Sequence, residues 1–198
     1  MLYDFSKTCK TYNKDSYNRN SFSKTTCPRC RAIGRFKMHG SYERNVAYFN
    51  DKQLVFKLIA IRRVRCKSCG TTHAVLPGDI IAYRLLSLFV FLYVLFLLYI
   101  RNTPVLKIAN DFDCSFQFLY SIIGVFEKYA ARLHLFFRRV SPRAAPLTAC
   151  QVSLLVLILS YVPWTKFQHD YMAENKKPCF MGKFSDGTRG PPVGIVPL

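Results

Sequence analysis

The stretch that decides the fold begins Cys27-Pro28-Arg29-Cys30 and, after residues 31–65, ends Cys66-Lys67-Ser68-Cys69-Gly70. Two residues between paired cysteines let the chain turn so that both sulfurs face one ion, and four thiolates suit a closed tetrahedral zinc site. Pro28 and Gly70 favour such turns, because proline fixes φ and glycine tolerates positive φ. The pattern therefore predicts a structural zinc ribbon with Zn²⁺ held by Cys27, Cys30, Cys66 and Cys69.

Disulfides, a redox C-x-x-C motif and chance are the alternatives to a zinc site. Residues 1–31 are polar and basic and do not resemble a secretory signal, so a disulfide-forming compartment is not expected. A redox motif usually follows a strand in a βαβ pattern, which is missing here. His73 could replace one thiolate ligand or be an ordinary loop histidine. The other cysteines lack motif spacing, and we expect free thiols in a cytoplasmic protein at Cys9, Cys114, Cys150 and Cys179.

The charge of the chain is strongly positive and uneven. The formal net charge is +18 over 198 residues; residues 1–84 carry 17 Lys or Arg against 5 Asp or Glu, and residues 85–198 carry 12 against 6. Such a surface usually faces a polyanion, either nucleic acid or an acidic membrane. Residues 1–24 are basic and poor in aliphatic side chains, which predicts a flexible arm, either phosphate-contacting or simply solvated.

Two segments between the cysteine pairs have strand character, residues 36–44 with a turn or bulge near Gly40 and residues 57–65. Apolar alternation in the second strand is imperfect, which is compatible with a metal that supplies much of the stability. The sequence between Arg62 and Lys67 is dense in positive charge. We interpret this as a phosphate-facing cluster, with a solvated strand face as the alternative; its members are Arg62, Arg63, Arg65 and Lys67.

Residues 85–100 form an uncharged apolar run bracketed by Arg84 and Arg101. A membrane-spanning helix needs about 20 apolar residues, and 16 would reach only about 24 Å. We therefore expect a helix covered by protein, either in the core or in a homodimer interface, and keep a membrane span as the alternative.

Residues 103–126 have the pattern of a helix-turn-helix. Thr103 is expected to cap a helix that starts near Pro104, and Asp113 to take the turn. In the second helix we expect Leu119 and Ile122 to pack inward. The side chains expected to be exposed there are Phe116, Gln117, Phe118, Tyr120 and Ser121. Candidate nucleic-acid contacts in this helical region are Lys107, Gln117, Ser121, Lys128 and Arg132.

The remaining sequence completes an α+β prediction: a small β zinc ribbon followed by an all-α region and an irregular or disordered tail. The predicted boundaries are an arm at 1–24, a ribbon at 25–78, a helical region at 79–140 and a final segment at 141–198. Within that final segment, residues 151–162 suggest an apolar core helix. The sequence after Trp164 is rich in Gly and Pro and suggests irregular structure.

The two C-x-x-C motifs, the run from Arg63 to Pro77 (RVRCKSCGTTHAVLP) and the helix pair resemble the N-terminal portion of bacterial insertion-sequence transposases. Within that group the resemblance is to an uncharacterised family of transposase-like zinc-ribbon proteins. It covers residues 25–135 and implies binding to element-end DNA, with the four paired cysteines as zinc ligands. Such transposases also carry a catalytic domain with three acidic metal ligands. Here only Asp170, Glu174 and Asp186 follow residue 135, so we expect a binding module or a stand-alone relic and not an active transposase.

The sequence thus favours a zinc-dependent DNA-binding protein of mobile-element type. A membrane-anchored protein with a cytosolic zinc ribbon is the alternative, supported by residues 85–100 and the basic segment before them. An RNA-binding ribbon is a third hypothesis, because arginine and aromatic groups also recognise structured RNA. We expect no enzyme, since the sequence offers no nucleophile paired with a base, no phosphate-binding loop and no open metal site.

Overall fold

The computed structural model describes residues 1–50, 53–84 and 86–180. A four-stranded sheet of order β1-β4-β3-β2 precedes five helices, which confirms the predicted α+β class. The strands are β1 (Leu2–Asp4), β2 (Phe36–Asn50), β3 (Gln53–Cys66) and β4 (Thr72–Pro77). The helices are α1 (Leu88–Tyr99), α2 (Val105–Phe112), α3 (Phe116–Val140), α4 (Gln151–Ser160) and α5 (Trp164–Asn175). The end of the predicted irregular tail, residues 181–198, lies outside the described residues.

Strands β2 and β3 form an antiparallel hairpin that is longer than the two predicted strands. Its register runs from Phe36 opposite Cys66 to Asn50 opposite Gln53, with a break between Met38 and Ser41. Gly40 lies in this break with φ of 77°, a left-handed conformation that glycine adopts without steric cost. The bulge predicted near Gly40 is confirmed.

The sheet buries apolar side chains on both faces. Successive strand residues point to opposite faces, so Ile59 and Ile61 share one face of β3 and Val64 shares the other with Cys66. The first face packs against a cluster that includes Val46, Leu76 and Ile80. The second face packs against Phe22, Phe36 and Val75. The imperfect alternation in β3 therefore reflects a strand that is covered on both faces.

The N-terminal residues pack on the sheet, which differs from the flexible arm expected for 1–24. Strand β1 pairs in parallel with β4, and the Tyr12 hydroxyl donates to the Val75 carbonyl at 2.8 Å. The Tyr17 hydroxyl donates to Asp4 Oδ2 at 2.8 Å, and 3-10 turns form at Lys14–Ser16 and Arg19–Phe22. The segment is poor in aliphatic residues but rich in Tyr and Phe, whose large rings supply the buried area.

Gly34 fixes the crossing between the N-terminal segment and the ribbon. Its φ is 64°, and a Cβ at this position would lie 2.4 Å from the Ser23 carbonyl oxygen. We expect Gly34→Ala to lower the free energy of unfolding by about 1–3 kcal/mol, through strain and the displaced backbone. Gly124→Ala is the control, because a Cβ there meets nothing within 4 Å. Urea unfolding curves measure both variants; a midpoint unchanged by Gly34→Ala would contradict the crowding.

The helices form one core with the closed end of the hairpin. Ala47 and Phe49 of β2 are buried together with side chains from all five helices. Half of the twelve residues of α1 are buried against other parts of the chain, among them Val90, Phe91 and Leu92. No helix in the described part of the chain combines the length and apolarity that crossing a bilayer requires.

Helices α2 and α3 are joined by a tight turn at the predicted residues. Asp113 ends α2 with φ of 47°, and the Ser115 side chain accepts from Phe118 N to begin α3. The predicted Thr103 cap is wrong, since Pro104 occupies the cap position and no side chain caps α2. Phe118, predicted to be exposed, is buried, because the first turn of α3 lies against the helical core.

Helix α5 corrects the prediction of irregular structure after Trp164. Its Phe167 and Tyr171 are buried in the helical core, four residues apart on one face. Gln168 is also buried, and its Nε2 donates to the Ile80 carbonyl at 3.2 Å. Lys176 ends the helix in the left-handed conformation. Burial against the rest of the fold thus stabilises a helix that the local composition does not predict.

Candidate metal centre

Two turns of nearly identical geometry present the four cysteines. In the first, Arg31 N donates to Cys27 O at 2.9 Å and Cys27 N donates to Ala32 O at 2.9 Å. In the second, Gly70 N donates to Cys66 O at 3.0 Å and Cys66 N donates to Thr71 O at 2.9 Å. The fifth residue of each turn is left-handed, with φ of 65° at Arg31 and 71° at Gly70. We call these turns, residues 27–32 and 66–71, the two knuckles.

The knuckles place four sulfurs at the spacing of a tetrahedral metal site. The four Sγ atoms lie within 4.8 Å of one another. Cys27 Sγ is 3.8 Å from Cys69 Sγ, and Cys30 Sγ is 3.7 Å from Cys66 Sγ. Sulfurs about 2.3 Å from a tetrahedral zinc lie about 3.8 Å apart, whereas a disulfide requires about 2.05 Å. The structure therefore brings together the four predicted ligands in a group that can hold a metal ion.

His73 lies behind the site and is not a loop residue as its position suggested. It belongs to β4, opposite Val64 in the sheet, and is buried. Its Nε2 is 3.4 Å from Cys27 Sγ, and its ring packs edge-on against Phe36. A ring N–H at this distance can donate to a thiolate, which orients the ligand and offsets its negative charge.

The surroundings favour the thiolate form in the second knuckle. Hydrogen bonds from Thr71, through its side chain and backbone, lower the pKa of Cys69 to about 6. Backbone hydrogen bonds, first among them that from Cys69, also lower the pKa of Cys66. Metal ligands must be deprotonated, so these N–H groups prepare the sulfurs for an ion.

The knuckles sit at one end of the sheet and carry a concentrated positive charge. Residues 28–37 and 63–72, which we call the basic end, contain seven Lys or Arg and no Asp or Glu. They are Arg29, Arg31, Arg35, Lys37, Arg63, Arg65 and Lys67, of which all but the half-buried Arg63 are exposed. Four of these, those at 29, 31, 35 and 37, were not predicted, because they come close to the second cysteine pair only in the folded chain. Strand pairing places Lys37 opposite Arg65, and Lys67 N donates to Arg35 O at 2.6 Å.

Arg62 does not belong to the basic end, because its side chain binds the N-terminal segment. Its guanidinium contacts Asp15 Oδ1 at 3.2 Å and donates from Nε to the Lys14 carbonyl at 2.9 Å. Arg65 Nε donates to Gly70 O at 2.9 Å but the side chain remains exposed. Of the predicted cluster, Arg62 therefore anchors the N-terminal segment, while Arg65 and Lys67 belong to the basic end.

The predicted nucleic-acid contacts on α2 and α3 differ in their exposure and in their local partners. Gln117 and Lys128 are exposed. The Ser121 hydroxyl donates to Phe118 O at 2.8 Å, within its own helix. Lys107 pairs with Asp111 at 3.4 Å, and Arg132 lies over the Tyr129 ring at 5.4 Å from its centroid. These two are surface side chains with local partners.

The basic end and the helices occupy opposite ends of the hairpin. The knuckles lie beside the Phe36–Cys66 pair, whereas the helical core packs on Phe49 and Leu54. At about 3.3 Å per strand residue, Phe36 and Phe49 are separated by roughly 40 Å along β2. The structure therefore does not bring the ribbon arginines and the start of α3 into one compact site.

Residues 27–95 match a family described as a domain of unknown function (DUF6431). The matched stretch starts at the first cysteine of the metal centre and ends within α1, so it covers both knuckles and the hairpin. No curated protein and no solved structure matches the chain.

Proposed function

We propose that this chain is a zinc-dependent DNA-binding protein whose main phosphate-binding surface is the basic end. The observation that carries the proposal is the exclusive clustering of seven Lys or Arg around the four-cysteine centre. Four thiolates on one Zn²⁺ carry a formal charge of about −2, which offsets part of the repulsion among these side chains. The remaining positive charge suits the phosphates of a duplex.

The proposed zinc is structural. Four protein ligands close the coordination shell, so the ion offers no open position for water or substrate. Its chemistry is to hold the two knuckles together, and with them the side chains of Arg29 and Lys67. Arg29 also crosses between the knuckles, since its Nη1 donates to Thr71 Oγ1 at 2.9 Å. We assign no catalytic role to this centre.

The start of α3 is the proposed second contact. Gln117 is exposed there beside the exposed rings of Phe116 and Tyr120, which suits hydrogen bonding and thymine-methyl contact in a major groove. Phe36, beside the knuckles, and Phe49, beside the helical core, are roughly 40 Å apart along β2, which is comparable to one helical turn of DNA, about 34–36 Å. The two surfaces would then contact successive turns of one duplex.

The mobile-element assignment rests on the resemblance to insertion-sequence transposases described above. In that interpretation the chain supplies the end-binding function.

Removing charge from the basic end tests the proposal. We expect the triple variant Arg35→Ala, Lys37→Ala, Lys67→Ala to weaken binding to all duplexes and to reduce the salt slope of log K by about 0.9 for each lost phosphate contact. These three side chains are exposed. Arg138→Ala, Arg143→Ala, Lys177→Ala is the control, because it removes the same charge from exposed positions outside the basic end. Fluorescence anisotropy at several salt concentrations measures both; equal slopes in the two triple variants would contradict the assignment.

A separate substitution tests base recognition by α3. Gln117→Ala is expected to cost about 1–3 kcal/mol on a selected site and little on scrambled DNA, because one bidentate amide contact is lost. Gln53→Ala, exposed on the hairpin, is the control and should change neither affinity. Competition titrations with selected and scrambled duplexes measure the difference. An unchanged site preference would restrict the DNA-binding surface to the ribbon.

A further inference from the structure

The segment that leads from the first knuckle into β2 presents one apolar side chain among cations. Exposure alternates along it, because Ala32 and Gly34 are half-buried and Phe36 is buried, whereas the residues between and beside them are exposed. These exposed residues, which we call the ridge, are Arg31, Ile33, Arg35 and Lys37. Ile33 is 64% exposed, and it is the only large hydrophobic side chain exposed within the basic end, all of whose residues the structure describes.

The backbone around Ile33 is fixed by pairing with the segment before the first knuckle. Ile33 forms an antiparallel bridge with Thr26. Gly34 N donates to Thr25 O at 3.0 Å, and the Gly34 backbone packs so closely on the Ser23 carbonyl that a Cβ would lie 2.4 Å from its oxygen. The side chain of Ile33 therefore projects from an ordered backbone, so a partner that covers it loses little affinity to backbone ordering.

The cations of the ridge are available to an external anion. In the part of the chain that the structure describes, the side chains of Arg31, Arg35 and Lys37 make no hydrogen bond and no ion pair. Arg31 and Arg35 stand two residues to either side of Ile33, so their Cα atoms are at most about 14 Å apart. The minor groove of B-DNA is about 6 Å wide, and side chains of this length can reach phosphates on both of its edges. The ridge thus places one apolar group between two phosphate-binding groups.

We propose that Ile33 is a wedge that inserts between two stacked base pairs from the minor groove and kinks the duplex, while Arg31 and Arg35 bind the flanking phosphates. Minor-groove proteins that bend DNA combine cations with an inserted apolar side chain in this way. Insertion separates stacked base pairs, which is easiest at pyrimidine–purine steps, so the ridge should select a TpA step. The inference rests on the proposed DNA-binding function and adds to it a bend and a preferred base step.

The test uses the full-length zinc-loaded protein and two duplexes of equal length and composition, each labelled with a donor and an acceptor dye at its ends. In one strand a run of purines precedes the central step and a run of pyrimidines follows it. The central step is TpA in one duplex, where it is the only pyrimidine–purine step, and ApT in the other. We expect the protein to increase energy transfer across the TpA duplex and to bind it about tenfold more tightly than the ApT duplex.

Two matched variants locate the effect. Ile33→Ala should remove the increase in energy transfer and weaken binding to the TpA duplex about tenfold, a change on the scale of burying one branched aliphatic side chain. The salt slope of log K should stay the same, because no charge is removed. Leu135→Ala truncates a side chain that is 55% exposed on α3, outside the basic end, and should change neither the bend nor the affinity.

The outcomes separate the wedge from the proposed function. A bend and a step preference that survive Ile33→Ala would overturn the wedge, and so would equal energy transfer on the two duplexes with the wild type; in both cases the basic end would remain the phosphate-binding surface. A salt slope reduced by Ile33→Ala would also overturn it, because the variant would then have disturbed phosphate contacts. Failure of the wild type to bind either duplex would overturn both proposals.

Discussion

Replacing Cys66 by serine is expected to abolish tight metal binding and to unfold the ribbon. Cys66 is fully buried, belongs to the apolar cluster with Phe36 and Val64, and lies 3.7 Å from Cys30 Sγ. In small zinc domains metal binding and folding are one equilibrium, with an apparent binding free energy of about 10–16 kcal/mol. Hydrogen exchange detected by mass spectrometry should show loss of protection across residues 25–77, and metal analysis should show loss of the bound ion.

Cys150→Ser is the matched control for this prediction. Cys150 is an exposed thiol before α4, away from the knuckles in sequence and in structure. We expect this variant to retain the metal and the protection of β2 and β3. Wild-type protection of residues 25–77 in the Cys66→Ser protein would show that the ribbon folds without the ion, and would contradict the structural role.

The second prediction concerns Phe49, through which the β2–β3 hairpin packs against the helices. Phe49 is buried and contacts Phe89, Tyr93 and Phe112 edge-on, with centroids 5.1–5.7 Å apart. Truncation of such a ring removes its burial and leaves a cavity, so we expect Phe49→Ala to cost about 3–5 kcal/mol. Thermal or urea unfolding measures the loss.

Phe56→Ala on the neighbouring strand serves as the control. Phe56 lies opposite Ala47 in the register and its side chain is 47% exposed, so its removal should cost much less than that of Phe49. If Phe49→Ala and Phe56→Ala lowered the free energy of unfolding equally, the packing of Phe49 on the helical core would not contribute to stability, and this prediction would be wrong.

The parts of this structure that could be predicted from sequence are those set by local chemistry. The C-x-x-C spacing identifies four sulfurs that converge, because each pair needs only a short turn. The turn between α2 and α3 was also predictable, since Asp113 tolerates the left-handed conformation and Ser115 can cap a helix. The bulge at Gly40 was predictable for a similar reason, because glycine tolerates a positive φ.

The features that were missed depend on contacts between distant parts of the chain. The N-terminal segment gains its order from Tyr12 and Tyr17, which bond to Val75 and Asp4, and Arg62 is held by Asp15. No sequence pattern in residues 1–24 predicts these tertiary contacts. The basic end is likewise a product of strand register, which places Lys37 opposite Arg65. Helix α5 is stabilised by the burial of Phe167 and Tyr171 in the helical core, and its composition alone does not predict a helix.

X-ray absorption at the zinc edge of the purified protein tests the central claim most directly. The four-cysteine arrangement predicts a first shell of four sulfurs at about 2.3 Å and no nitrogen. It also predicts that His73, at 3.4 Å from Cys27 Sγ, stays outside that shell. A shell that contains imidazole nitrogen in place of a sulfur, or a protein purified without any bound zinc and with β2 and β3 intact, would contradict the account.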